Sequence, residues 1–144
     1  MRIFIPLLLT LLIGCSSNKV PFNIKTVVSF NDNDIEYKLD VEATADTTSG
    51  VPGVIKIYFR NNGTEEFWIF GQGVFYEDAS GKITHALNRF VAWQRAIRSI
   101  RETGDIYIPS GERNFMLFKP PQEATTLVFK NDTHDKVLFK VSLK

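Results

Sequence analysis

The sequence predicts an all-β fold, an antiparallel sandwich of about eight short strands, and two observations support this prediction. The first is a two-residue alternation of apolar and polar residues, which is clearest at 35–42 and 55–60. The second is the frequency of turn signals between such runs, for example at 78–81 and 109–111. Alternation gives a strand one apolar face, and frequent turns bring successive strands into antiparallel contact. The chain has 144 residues, which is enough for one domain of this kind.

The first two clear strands show the alternation best. The apolar face of the first is formed by Ile35, Tyr37, Leu39 and Val41, and that of the second by Ile55, Ile57 and Phe59. Residues 27–30 could already belong to an earlier strand. The sequence Asn61-Asn62-Gly63 follows the second strand, and an Asn-Gly pair favours the backbone angles of a tight hairpin.

The run Phe67-Trp68-Ile69-Phe70 is apolar on both faces, which predicts a central strand covered from two sides. Trp68 is therefore interpreted as a core residue, with Trp93 covering the outer face of its strand, and a ligand-facing role is the less favoured alternative. The two glycines in 71–73 predict a bulge that resets the register.

Further strands are expected in the rest of the chain. They are predicted at 74–76, 82–87, 106–108, 113–118, 126–130 and 137–143. Pro120-Pro121 separates two of these strands, and the polar segment 131–135 connects the last two.

One segment, 88–101, does not fit the strand pattern. Its apolar residues Phe90, Trp93, Ile97 and Ile100 recur at the three- and four-residue steps of a helix. Asn88 could cap the start, and Gly104 could end the helix. We therefore expect a short helix inserted between strands, with a twisted strand pair as the main alternative.

Charge is distributed unevenly along the chain. Residues 79–101 contain five cations and no anion, whereas 32–46 contain six anions and one cation. In the simpler interpretation these segments lie near one another or are solvated faces, and exposed ion pairs then contribute about 0–1 kcal/mol each. In the alternative, the basic segment is a docking face for an anionic partner. The residues of that face would be Arg89, Trp93, Arg95, Arg98 and Arg101.

The N-terminus has the features of a bacterial lipoprotein signal. Arg2 precedes an apolar run at 3–13, which is too short to span a membrane, and Leu12-Ile13-Gly14-Cys15 resembles the lipobox. The resemblance implies acylation of Cys15 and cleavage before it. The expected organisation is a signal peptide at 1–14, a lipidated tether at 15–33 and the β-domain at 34–144. The alternative is a buried apolar strand with an incidental cysteine.

Three turn regions, 59–64, 76–82 and 108–112, resemble those of the immunoglobulin-like domains of bacterial surface lipoproteins. The resemblance implies an immunoglobulin-like sandwich with a noncatalytic role. Cys15 is the only cysteine, so the paired cysteines of antibody domains are missing. Ser16 and Ser17 follow the lipid site without an aspartate, which by resemblance to enterobacterial sorting implies the outer membrane.

Residues that could carry chemistry are few. His85 and His134 are 49 positions apart, and His134 lies with Asp132 and Asp135 in a polar connection that is more simply a solvated loop than a metal site. No nucleophile elbow, phosphate loop or paired cysteines occur. We expect no enzyme, no cofactor and no metal. With 17 basic and 16 acidic residues, bulk charge does not argue for nucleic acid.

The sequence thus predicts a membrane-anchored envelope lipoprotein, a noncatalytic binding or assembly-accessory module. Its partners would be the membrane, through the lipid, and an envelope protein or anionic surface. An inhibitor or sensor that captures an envelope ligand or incoming enzyme, near His134 or through the arginine segment, is the alternative. A hydrolase is the least favoured.

Overall fold

Antiparallel strands make up most of residues 22–47, 50, 52–86 and 104–144, the part of the chain that the computed structural model describes. The strands of this part are β1 (Asn23–Asp32), β2 (Ile35–Ala45), β3 (Ile55–Asn61), β4 (Phe67–Ile69), β5 (Val74–Asp78), β6 (Ile83–His85), β7 (Ile106–Ile108), β8 (Arg113–Phe118), β9 (Ala124–Lys130) and β10 (Val137–Ser142). One 3-10 turn, Gly71–Gly73, precedes β5. The predicted all-β class is confirmed. The described residues contain ten strands, whereas the sequence predicted about eight.

The strands form two sheets of four and one of two. The first sheet has the order β1-β2-β3-β8, the second β10-β9-β5-β6, and the small one pairs β4 with β7. Every pairing is antiparallel.

The two large sheets pack face to face over one hydrophobic core. Phe59 of β3 contacts Phe129 of β9 edge to face, with ring centroids 5.5 Å apart. Phe30 of β1 stacks on Phe139 of β10 at 5.2 Å. Both contacts cross between the sheets, so the described part of the chain has the two-layer arrangement of a β-sandwich.

The predicted strand faces are confirmed in β2 and β3. Leu39 and Val41 are buried, as are Ile57 and Phe59, whereas the intervening residues, Asp40 and Tyr58, lie on the outer face. Period-two alternation therefore identified which side of this sheet faces the core.

The β-structure begins earlier than the sequence indicated. All ten residues of β1 pair with β2, so the sheet starts at Asn23, within the segment assigned to the tether. The possible early strand at 27–30 is thus present, as part of a longer strand that occupies Asn23–Asp32 of the segment expected to be the tether. The reason is local: Asn33 and Asp34 adopt positive φ angles, 49° and 64°, and form a two-residue hairpin turn.

The interpretation of the run 67–70 as a covered central strand is wrong. Only Phe67–Ile69 form a strand, and among the described strands it pairs with β7 alone. Phe67 and Ile69 face the core, whereas Trp68 and Phe70 are half-buried on the other side. The run is apolar on both faces because one face lines a cleft. The glycines at 71 and 73 belong to the 3-10 turn rather than to a bulge.

The tight hairpin expected at Asn61-Asn62-Gly63 does not form. β3 pairs with β2 and β8, not with β4. Asn61 is instead the last residue of β3 and is fully buried. The chain leaves the first sheet here and crosses to the small sheet, so the Asn-Gly pair lies in a connection between sheets.

The predicted helix at 88–101 lies outside the described residues. Within the described ranges, no helix combines the length and hydrophobicity needed to cross a membrane.

Candidate binding cleft

A surface cleft of about 350 Å³ opens at one end of the sandwich. Three chain connections meet there: the β1–β2 turn, the loop between β3 and β4, and the turn between β9 and β10. The lining residues are Asp32, Asn33, Ile35, Tyr37, Glu65, Glu66, Phe67, Trp68, Phe70 and Asp132. Loops at the end of a rigid sandwich are common positions for binding residues.

Among the residues that the structure describes, four carboxylates surround this cleft and no basic side chain lines it. Asp32 comes from the β1–β2 hairpin, Glu65 and Glu66 from the β3–β4 loop, and Asp132 from the β9–β10 turn. Lys136 lies beside the group, with its Nζ 3.8 Å from Asp32 Oδ1. Carboxylates collected in a concave surface give it a negative potential, which attracts cations.

Aromatic side chains form the wall of the cleft. Tyr37 and Phe67 pack against each other with ring centroids 5.0 Å apart. Trp68 packs on Tyr107 of the neighbouring strand β7 at 4.8 Å, so its ring is held on one side. An aromatic face beside carboxylates is suited to a cation, because the electron-rich face of the ring attracts positive charge.

Asn61 fixes the loop that carries the two glutamates. Its side-chain amide donates to the Glu65 carbonyl at 2.7 Å and to the Ile108 carbonyl at 3.0 Å. Its Oδ1 accepts from the Gly63 N–H at 2.9 Å. One buried side chain therefore satisfies three backbone groups and ties the loop to β7. Ser110 adds a further tie, since its hydroxyl donates to the Gly63 carbonyl.

Two tyrosines lie beside the carboxylates of the cleft, Tyr37 in its lining and Tyr107 next to Glu66. The Tyr107 hydroxyl donates to Glu66 Oε2, and this hydrogen bond raises the pKa of Tyr107 above its ordinary value. Burial raises the pKa of Tyr37, and the nearby charges of Asp32, Glu65 and Glu66 raise it further. A phenol hydroxyl can donate a hydrogen bond to a carboxylate, as that of Tyr107 does to Glu66.

The connection that carries Asp132 is fixed by its own polar side chains. Asn131 Nδ2 and the Thr133 hydroxyl each donate to Asp135 Oδ1 at 2.6 Å. These bonds lower the pKa of Asp135, the one from Thr133 most. His134 takes a positive φ of 61°, which closes the turn. The loop is therefore held in a shape that directs Asp132 into the cleft lining.

The two histidines both pack edge to face against Phe75 of β5. His85 is the last residue of β6, and His134 lies in the connection between β9 and β10. Their ring centroids are 5.1 Å (His85) and 5.9 Å (His134) from that of Phe75. His85 Nε2 lies 2.8 Å from the Gln72 carbonyl oxygen. Over the ranges that the structure covers, no three His, Cys, Asp or Glu side chains gather in a way that could hold a metal ion.

Most of the site residues that the sequence predicted are not among the described residues that line this cleft. Cys15 and the proposed docking residues lie outside the described residues; the latter are Arg89, Trp93, Arg95, Arg98 and Arg101. Trp68 is described, and it lines the cleft instead of being buried in the core. Glu65, Glu66 and Asp132 were missed as a group. The clearest local indication of this group in the sequence was the pair Glu65-Glu66 directly before the aromatic run at 67–70.

Comparison with known proteins identifies no matching family model, no similar curated protein and no similar solved structure.

Proposed function

We propose that this protein is an envelope lipoprotein, anchored by acyl chains on Cys15, whose β-domain is a noncatalytic binding module. Its binding site is the acidic aromatic cleft, and its ligand is a positively charged side chain on an envelope protein partner. One observation carries the proposal for the cleft: four carboxylates and four aromatic side chains line the same cavity, with no lysine or arginine among the described residues of its lining.

An arginine side chain fits this cleft best among the common cations. Its planar guanidinium can bond a carboxylate through two N–H groups while stacking on an aromatic ring. Glu65, Glu66 and Trp68 provide both kinds of partner in adjacent positions. A single cation–π contact contributes about 0.5–2 kcal/mol, and an exposed ion pair about 0–1 kcal/mol. A partner would therefore need further contacts around the cleft to bind tightly.

The order of the strands supports an immunoglobulin-like version of the sandwich. β2, β3 and β8 are neighbours in one sheet, and β10, β9 and β5 are neighbours in the other. These correspond to the A-B-E and G-F-C strands of that fold, with β1 added at one edge. Domains of this type bind through the loops at the ends of the sheets, which is where the cleft opens.

Capture of a small envelope ligand or an incoming enzyme is the second candidate function. Asp132 favours it, because this residue brings the connection near His134 into the cleft lining. In that case the ligand would be a free cationic molecule rather than a side chain of an assembly partner. The outer membrane and an anionic surface facing the arginine segment stay predictions of the sequence.

Removing two charges from the cleft should weaken cation binding about tenfold. The probe is a hexa-arginine peptide, and its binding to the full chain carrying Glu65→Gln and Glu66→Gln is measured by calorimetry. The expected loss corresponds to about 1.4 kcal/mol, as for two weak ionic contacts. Added salt should reduce the wild-type affinity, because exposed charges are screened.

The matched control is the pair Glu42→Gln and Glu123→Gln, which removes the same charge from sites outside the cleft. Glu42 pairs with Lys25 on the outer face of the first sheet. Glu123 directly precedes β9, at the opposite end of that strand from Asp132 of the cleft. Equal weakening by both pairs would mean that only bulk charge attracts the peptide. A peptide containing citrulline in place of arginine should not bind.

The anchor is tested separately by metabolic labelling with a fatty acid. The wild-type chain should take up label, whereas Cys15→Ala should not, because the thiol is the acylation site. Several acyl chains hold a protein to a bilayer for practical purposes permanently, at about 0.8 kcal/mol for each buried methylene. A Cys15→Ala chain that still incorporates label would contradict the assignment.

A further inference from the structure

Among the described strands β1 is an edge strand, and no described strand pairs with the backbone groups on its outer side. It pairs with β2 on one side and with no other strand in the described part of the chain, although β10 of the second sheet packs near it, with Phe139 stacked on Phe30. The Asn31 carbonyl accepts a hydrogen bond from Lys136 Nζ, so it points away from β2. Because the backbone groups of alternate residues point to the same side of a strand, Lys25, Val27 and Ser29 also direct their N–H and C=O groups outward.

The other sheet edges have features that prevent pairing with another chain. β6 is only three residues long, and the pairing of β10 with β9 shifts register between Val137 and Phe139. β7 lies against the edge of β8, where Asn114 Nδ2 donates to the Tyr107 carbonyl. Short length, irregularity and covering are the usual protections of an edge. β1 has ten residues in regular register and contains no proline.

The side chains of β1 also favour a partner. Val27 lies at the middle of the strand and is 67 % exposed, more than any other large apolar side chain that the structure describes as exposed. On the same outer face it is flanked by Lys25 and Ser29. Lys25 is the only charged residue between Asn23 and Asn31, and it is 3.6 Å from Glu42 of its own sheet.

We propose that two copies of this chain pair through β1, antiparallel, with the twofold axis at Val27. The two Val27 side chains then contact each other, and Lys25 of one copy lies opposite Ser29 of the other. No like charges oppose each other, so the strand is self-complementary. On the inner face Thr26 lies opposite Val28. The pairing joins the two first sheets into one continuous sheet with about six new backbone hydrogen bonds.

The first test replaces Val27 by proline in the full chain and measures oligomeric state by sedimentation in a density-matched detergent. Proline removes an N–H that points away from β2, so the pairing within the sheet is preserved. The dimer dissociation constant should rise at least tenfold, whereas Val27→Thr should change it little. The control is Val137→Pro, at an exposed valine on another edge. A wild-type chain that is monomeric, or a dimer unchanged by Val27→Pro, would overturn the proposal.

The second test locates the axis by disulfide formation in a Cys15→Ser background. Directly opposed residues of a hydrogen-bonded pair have Cα atoms about 5.5 Å apart, within disulfide range. Val27→Cys should therefore crosslink two copies under mild oxidation. Lys25→Cys places the thiols about 13 Å apart along the strands and should not. Crosslinking that is stronger at Lys25 than at Val27 would rule out this axis.

Discussion

Replacing Phe129 by alanine is expected to lower the free energy of unfolding by about 3–5 kcal/mol, the range for a buried phenylalanine. Its side chain is 1 % exposed and lies between the two sheets. It stacks on Phe139 at 4.5 Å and meets Phe59 and Phe118 edge to face. Truncation leaves a cavity that these rings can fill only partly. Chemical denaturation followed by fluorescence measures the loss.

Phe115→Ala is the matched control for this prediction. Phe115 is half-buried on the outer face of the first sheet, where it contacts Tyr58 and lies under the ammonium group of Lys56. Neighbours there can shift and water can enter, so its loss should cost about 1–2 kcal/mol. If Phe129→Ala costs no more than Phe115→Ala, the core does not lie between the two sheets as described.

Replacing Asn61 by alanine is expected to destabilise the protein by about 2–4 kcal/mol and to weaken cation binding as well. The substitution leaves the carbonyls of Glu65 and Ile108 and the N–H of Gly63 without their side-chain partner. A buried polar group that loses its partner costs about 1–3 kcal/mol. Because the same bonds hold the glutamate loop, denaturation and binding of the hexa-arginine peptide should both respond.

Two further variants sharpen this test. Asn62→Ala changes the next residue, which is exposed, and should leave stability within about 0.5 kcal/mol of wild type. Asn61→Asp keeps the shape but loses both N–H donors and buries a charge, so it should cost at least as much as alanine. A stable Asn61→Ala protein with full affinity would show that the loop is held by other contacts.

The part of the fold that could be predicted from the sequence is the part set by local patterns. Alternation identified the inner faces of β2 and β3, since burial on one side of a strand imposes that period on its residues. The turns at 78–81 and 109–111 were also predicted, and Gly81 and Gly111 take the positive φ angles that such turns require.

The misinterpreted regions depend on contacts between distant parts of the chain. The run 67–70 has the composition of a buried strand, but its second apolar face lines the cleft, and no local pattern distinguishes these cases. Asn61 looks like a hairpin residue, yet it is buried against Ile108, 47 positions away. Tertiary context determined both outcomes.

The cleft could not be predicted for a similar reason. Its carboxylates belong to three connections that are separated by about thirty residues or more in sequence, and the stacking of the sheets brings them together. The excess of acidic residues at 32–46 was visible, but only Asp32 of that group lines the cleft. The adjacent Glu65 and Glu66 were the strongest local indication.

The two-residue turn at Asn33 and Asp34 has a consequence for how this domain can diversify. The length of this turn sets the register of β1 against β2, so an insertion that is not taken up by a longer loop would slide β1 by one position. Such a slide would exchange the strand's two faces, exposing Phe30 to water and turning Val27 inward. Changes of length are therefore tolerable in the wider connections between sheets, while this hairpin has to keep its size for the molecule to keep its outer surface.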